Sequence, residues 1–155
     1  MASASARATS RVEWVIQPAT VGGLTLTVPR LKVRLYLATA STGRRGVLRS
    51  AWLDTGAPLS IIPFHIHRKG LRWQSIPGIQ VTWFGQRCEL GRIDCWFPTD
   101  QPPYRRGPLP LLAKFPQSNP PGDEIPVILG LEFFLAHQAE FQLLLPPRDG
   151  RILLP

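Results

Sequence analysis

An all-β fold with one short C-terminal helix is the class this sequence predicts, on three observations. Leu31-Lys32-Val33-Arg34-Leu35-Tyr36-Leu37 alternates strictly between apolar and polar residues, as a half-buried strand does. Short apolar runs recur along the rest of the chain, separated by turn signals that contain Gly or Pro. Only one stretch, Leu131 to His137 after Gly130, reads as a helix of more than a single turn.

The elements follow in order. Residues 1–12 are expected to be a flexible tail, because the first ten are small and polar with Arg7 as the one charge and no apolar core of a signal peptide. Residues 13–155 then form a single domain. Trp14 to Ile16 and Leu24 to Val28 are short strands on either side of the turn signal Gly22-Gly23. After the alternating strand 31–37, residues 41–46 (Ser41 to Gly46) turn the chain, and Val47 to Leu53 returns as a strand. Pro63 to Gly70 is a single helical turn, opened by proline and closed by glycine. Arg72 to Trp83 has the form of a hairpin with Pro77-Gly78 at its tip. Phe84 to Phe97 supplies one or two further strands, with Gly85 and Gly91 as candidate turns or bulges.

Residues 98–121 contain eight prolines. So dense a run excludes a helix or a central strand and predicts an irregular surface loop, with Leu109 to Phe115 docking apolar side chains back onto the body. The chain closes with a strand over Ile125 to Leu129, the short helix, a strand over Ala139 to Leu145, a turn at Pro146 to Gly150 and a last strand over Arg151 to Leu154.

Composition narrows the function classes. A chain of 155 residues, 44% hydrophobic and 18% charged, is long enough to bury a core unaided and too apolar to be disordered. No apolar run reaches the roughly 18 residues of a membrane span, and a cytoplasmic protein without membrane contact is the default expectation. Cys88 and Cys95 are too few for a disulfide scaffold and are expected to be reduced. The net charge of +8 is spread from Arg30 to Lys114 rather than massed on one element, so no nucleic-acid partner is expected. His65 and His67, at a spacing of two, share a face only on a strand, and a zinc site needs further ligands that only the remote His137 offers. They are read as surface histidines, with no metal and no cofactor.

The stretch that organises the rest is Ala51-Trp52-Leu53-Asp54-Thr55-Gly56-Ala57-Pro58-Leu59-Ser60-Ile61-Ile62. An apolar strand runs into an acid, a small hydroxyl residue and a glycine, and a carboxylate at the buried end of a strand is costly unless used or paired. About 70 residues on, Ile125-Pro126-Val127-Ile128-Leu129-Gly130 leads into Leu131-Glu132-Phe133-Phe134-Leu135. Together these resemble the active-site loop and the later hydrophobic-hydrophobic-Gly strand and helix of the retropepsin-like aspartic proteases, over roughly Leu24 to Leu154.

The resemblance implies a closed β-barrel or sandwich acting as a homodimer, with peptides or proteins as substrate. Aspartic protease chemistry needs two carboxylates sharing a proton, and this chain has one Asp-Thr-Gly; Asp54 is therefore expected from each of two subunits. Thr55, Gly56 and Ala57 would support the loop, and Ile76, Pro77, Gly78 and Ile79 would form the substrate-binding flap. The terminal strands are the implied dimer contact. Asp94 lacks an Asp-Thr-Gly context and is read as a solvent-facing strand residue. A retropepsin-like module used only for binding or scaffolding is the alternative, and a basic nucleic-acid-binding β-domain a more remote one.

Overall fold

The computed structural model describes residues 7–40, 45–120, 124–144 and 149–155. They form ten strands: β1 (Ala8–Val21), β2 (Leu24–Ala38), β3 (Arg45–Leu53), β4 (Ser60–Ile61), β5 (Trp73–Trp83), β6 (Gln86–Pro98), β7 (Arg105–Pro116), β8 (Val127–Leu129), β9 (Glu140–Leu144) and β10 (Asp149–Leu154). Two short helices, α1 (Phe64–His67) and α2 (Leu131–His137), complete the fold. The all-β expectation holds, and α1 is the single turn that Pro63 and Gly70 signal.

Strands follow one another in the order β5-β6-β7-β4-β8-β3-β2-β1-β10-β9, and β6 also pairs with β2 through Tyr36↔Trp96 and Leu37↔Cys95. That extra pairing closes β6, β7, β4, β8, β3 and β2 into a ring. Its interior holds the predicted inward residues of the alternating strand, Val33, Leu35 and Leu37, each at most 1% exposed, with Phe97, Leu111, Phe115 and Leu129 from the facing strands. α2 plugs one side of the ring with Phe133, fully buried and 5.2 Å from Phe97.

Four expectations need correction. Ala8–Val12, placed in a flexible tail, is paired strand: these residues lie opposite Gly150–Leu154 of β10, and Val12 and Ser10 are buried. Small residues there look loose in sequence because the partner that orders them comes from the other end of the chain; Met1 to Ala6 lie outside the described residues. Much of 98–121, expected as an irregular loop, is β7, which pairs with β6 from Pro98↔Arg105 to Cys88↔Pro116. Pro108 and Pro110 are tolerated because β4 covers the other edge of β7 only at Ala113 and Lys114, leaving the prolines where no ladder donor is needed. Leu111, Ala113 and Phe115 do dock into the core. Pro121 lies outside the described residues, as do 41–44 of the first turn and 145–148 of the last.

The hairpin expected at Pro77-Gly78 does not turn there. β5 runs on, and its register with β6 jumps from Ser75↔Gly91 to Gln80↔Glu89, so Ile76 to Ile79 are a bulge with Gly78 at φ 82°. The reversal comes at Phe84 (φ 48°) and Gly85 (φ 70°), between Trp83 and Gln86. Two consecutive left-handed residues match the twist of a two-residue hairpin; the Pro-Gly pair gives a bulge because strand pairing resumes beyond it.

His65 and His67 are not surface histidines. His65 is buried, with its backbone N–H and Nδ1 both 3.2 Å from Asn119 Oδ1, and His67 Nε2 donates to the Pro116 carbonyl at 2.7 Å. They tie α1 to the end of β7. His67 also meets Phe115 and Trp73 edge-on, while those two rings stack at 3.9 Å.

Gly91 is the other tight point. A Cβ there would lie 2.5 Å from Trp73 Cε3 and 2.9 Å from the Gln74 carbonyl, so the Trp73–Phe115 stack needs glycine beneath it. Gly91→Ala is expected to destabilise the fold by about 1–3 kcal/mol through overpacking, read as a lowered urea midpoint with an unchanged m-value.

Candidate active site

β3 ends at Leu53, and the chain leaves it as an exposed loop, Asp54 to Gly56, before Leu59 and Ser60 re-enter the body. Within the loop Gly56 N–H donates to Asp54 Oδ1 at 2.9 Å and Ala57 N–H to the Asp54 carbonyl at 3.2 Å. The carboxylate is thus held by its own turn through Oδ1. A glycine suits this place because a Cβ on Gly56 would press on that same Oδ1 at 3.3 Å.

The loop is fixed from behind by β8. This strand lies between β3, which it meets in parallel (Ala51↔Val127 to Leu53↔Leu129), and β4, which it meets antiparallel at Ile61↔Ile128. Asp54 N–H donates to the Leu129 carbonyl at 3.1 Å, and the first turn of α2 reaches back, Leu131 N–H to Ala57 O at 2.9 Å and Glu132 N–H to Pro58 O at 3.0 Å. Ser60, fully buried, accepts from Gly130 N–H at 2.9 Å. A Cβ on Gly130 would lie 2.5 Å from the Leu59 carbonyl carbon and 2.8 Å from Ala57 O. Only glycine lets the β8–α2 junction approach so closely.

The structure therefore brings Asp54, Thr55, Gly56 and Ala57 together on one rigid loop, with Asp54 and Thr55 exposed. Ile76, Pro77, Gly78 and Ile79 stand apart in the bulge of β5, where they line a cavity of about 230 Å³ with Cys88, Glu89 and Gln117. Asp94 is exposed on β6, as expected, in a cavity of about 520 Å³ shared with Arg72, Arg92 and Trp73. Cys88 and Cys95 are free, on the same strand and buried; burial raises both thiol pKa values, so neither is an activated nucleophile.

Two contacts beside the loop were not assigned from the sequence. Ser60 and Gly130 appear there as pattern matches, and their hydrogen bond spans 70 residues, which no local signal reveals. The second is Arg30, whose guanidinium stacks 4.9 Å from the Trp52 ring, two residues before Asp54. Among the described residues no group of three or more His, Cys, Asp or Glu is placed to hold a metal, and no helix is long and apolar enough to cross a membrane.

No family model, curated protein or solved structure matches this chain.

Ser60→Ala removes the acceptor of a buried N–H without offering another. A loss of about 1–3 kcal/mol is expected, measured by denaturant unfolding, together with faster amide exchange at Gly130.

Proposed function

We propose that the chain is one half of an aspartic endopeptidase of the retropepsin-like kind, completed by a second copy. The observation that carries this is a single exposed Asp54 carboxylate, fixed by Gly56 N–H and presented at the surface of a loop clamped from behind. A closed ring of strands and the β8–α2 junction behind the loop agree with the fold that the Asp-Thr-Gly resemblance implies. One such loop supplies one carboxylate, and a two-fold axis beside it supplies the second most economically.

In the paired site one carboxylate takes a proton from water as its oxygen attacks the scissile carbonyl carbon. The other, protonated, donates to the carbonyl oxygen. Collapse of the tetrahedral intermediate breaks the C–N bond, and the leaving nitrogen takes up a proton from the dyad. Thr55, Gly56 and Ala57 touch no reacting atom in this scheme and position the acid.

Asp54→Asn is expected to abolish peptide hydrolysis, a drop of at least about 10³-fold, with the fold intact by circular dichroism; Asp94→Asn is expected to stay near wild type. Wild-type cleavage by Asp54→Asn in a preparation cleared of contaminating proteases would overturn the assignment. If neither wild type nor variant cleaved any member of a broad peptide library, a binding or scaffolding module would be the better reading.

The rate is also expected to be bell-shaped in pH with an acidic to mildly acidic optimum. Activity needs one proton on the pair: it falls at low pH when both carboxyls are protonated and at high pH when both are ionised. A rate that rose monotonically through neutral pH would exclude a shared-proton dyad.

A further inference from the structure

The β1–β2 hairpin runs on past the strands that flank it. Leu31↔Leu53 is the last pairing of β2 with β3 toward the hairpin end, so Arg30 comes level with Asp54 and residues 24–29 run on past the catalytic loop. Beyond that level residues 15–21 of β1 and 24–30 of β2 pair only with each other. At about 3.4 Å per residue the arm extends about 24 Å.

The arm is apolar where a solvated hairpin would be polar. On one face Ala19 sits opposite Leu26 and Val21 opposite Leu24; on the other, Ile16 sits opposite Pro29. Val21 is 62%, Leu24 67%, Leu26 47% and Ile16 44% exposed. At its base Trp14, Ile16, Thr27 and Pro29 line a cavity of about 230 Å³, room for an aliphatic side chain. An isolated two-stranded ribbon is marginal in water, and this one has apolar residues on both faces.

We infer that the β1–β2 arm clasps a second copy of this chain across the axis that pairs the two Asp54 loops, burying Leu24, Leu26 and Ile16 against the partner. The inference rests on the half-site reading above and adds the contact surface. A second copy is the occupant because the arm projects from the level of the one site that a second copy must complete. Two faces about 24 Å long and 10 Å wide offer roughly 500 Å². That is more than half of the about 800 Å² each partner contributes to a standard interface, and the exposed loop supplies an adjoining part. The arm-mediated contact is separate from the terminal strands, where β1 and β10 already pair within the chain and β9 forms the outer edge.

The test is sedimentation and peptidase assays of wild type and Leu26→Asp over a wide concentration range, with circular dichroism as the check on folding. Leu26 lies outside the core and the catalytic loop, so the variant is expected to keep its fold, to dimerise about tenfold or more weakly, and to regain activity at higher concentration. A wild-type dimer with an equally tight Leu26→Asp dimer would overturn the arm while leaving the half-site reading intact. A wild type monomeric at every concentration would overturn both. Amide exchange of wild type decides independently of the variant: residues 16–28 are expected to be slower in concentrated than in dilute solution, and exchange there that ignored dimerisation would overturn the arm.

Discussion

The close approach of Gly130 to the Asp54 loop is the contact on which the rest of the molecule depends. β8 is only three residues long, yet it supplies the parallel partner of β3, the antiparallel partner of β4, the acceptor for Asp54 N–H and, through the residues after it, donors to Ala57 and Pro58. With a side chain at residue 130 the junction would have to withdraw from Leu59, opening the ring of strands where β8 closes it. The same contact that completes the ring therefore fixes the backbone of the Asp54 loop from behind. Stability and site geometry are one constraint here, which is why Ser60 is buried for the sake of a single backbone N–H.

Much of the fold was legible because its signals are local. Alternation over 31–37 located the core face of β2, Gly22-Gly23 located the first reversal, and Pro63 with Gly70 bracketed α1. Asp54, Thr55, Gly56 and Ala57 were legible as a loop for the same reason: an apolar strand running into an acid and a glycine is a contiguous pattern. What was not legible was set by partners distant in sequence. Ala8 to Val12 carry no strand signal of their own and are ordered by β10. The prolines of β7 read as a loop because sequence does not say which stretches of a strand's edge go unpaired. Pro77-Gly78 is a good turn dipeptide, and the position of Glu89 and Gly91 on the neighbouring strand, not the dipeptide, decides that it bulges instead of reversing.

The histidines show the same division. His65 and His67 alternate with Phe64 and Ile66 and run into Arg68-Lys69, and spacing alone cannot tell a solvated pair from two satisfied side chains. Asn119 and Pro116 settle the matter by occupying their nitrogens, and the stack of Trp73 on Phe115 above them turns that corner into a packed aromatic plug. The cavity of about 520 Å³ between Arg72, Arg92 and Asp94 shares no residue with the Asp54 loop.

The chain order of the clamp has a consequence for synthesis. The hydrogen bond between Ser60 and Gly130 joins positions 70 residues apart, and β3 meets its parallel neighbour β8 across a similar span. While the chain emerges from the ribosome, the Asp54 loop has no backing until β8 and the start of α2 have followed it. Such long-range pairings form slowly, because the loop they close costs entropy before any contact rewards it. A nascent chain of this protein is accordingly without an organised Asp54 loop until β8 and the start of α2 have been made.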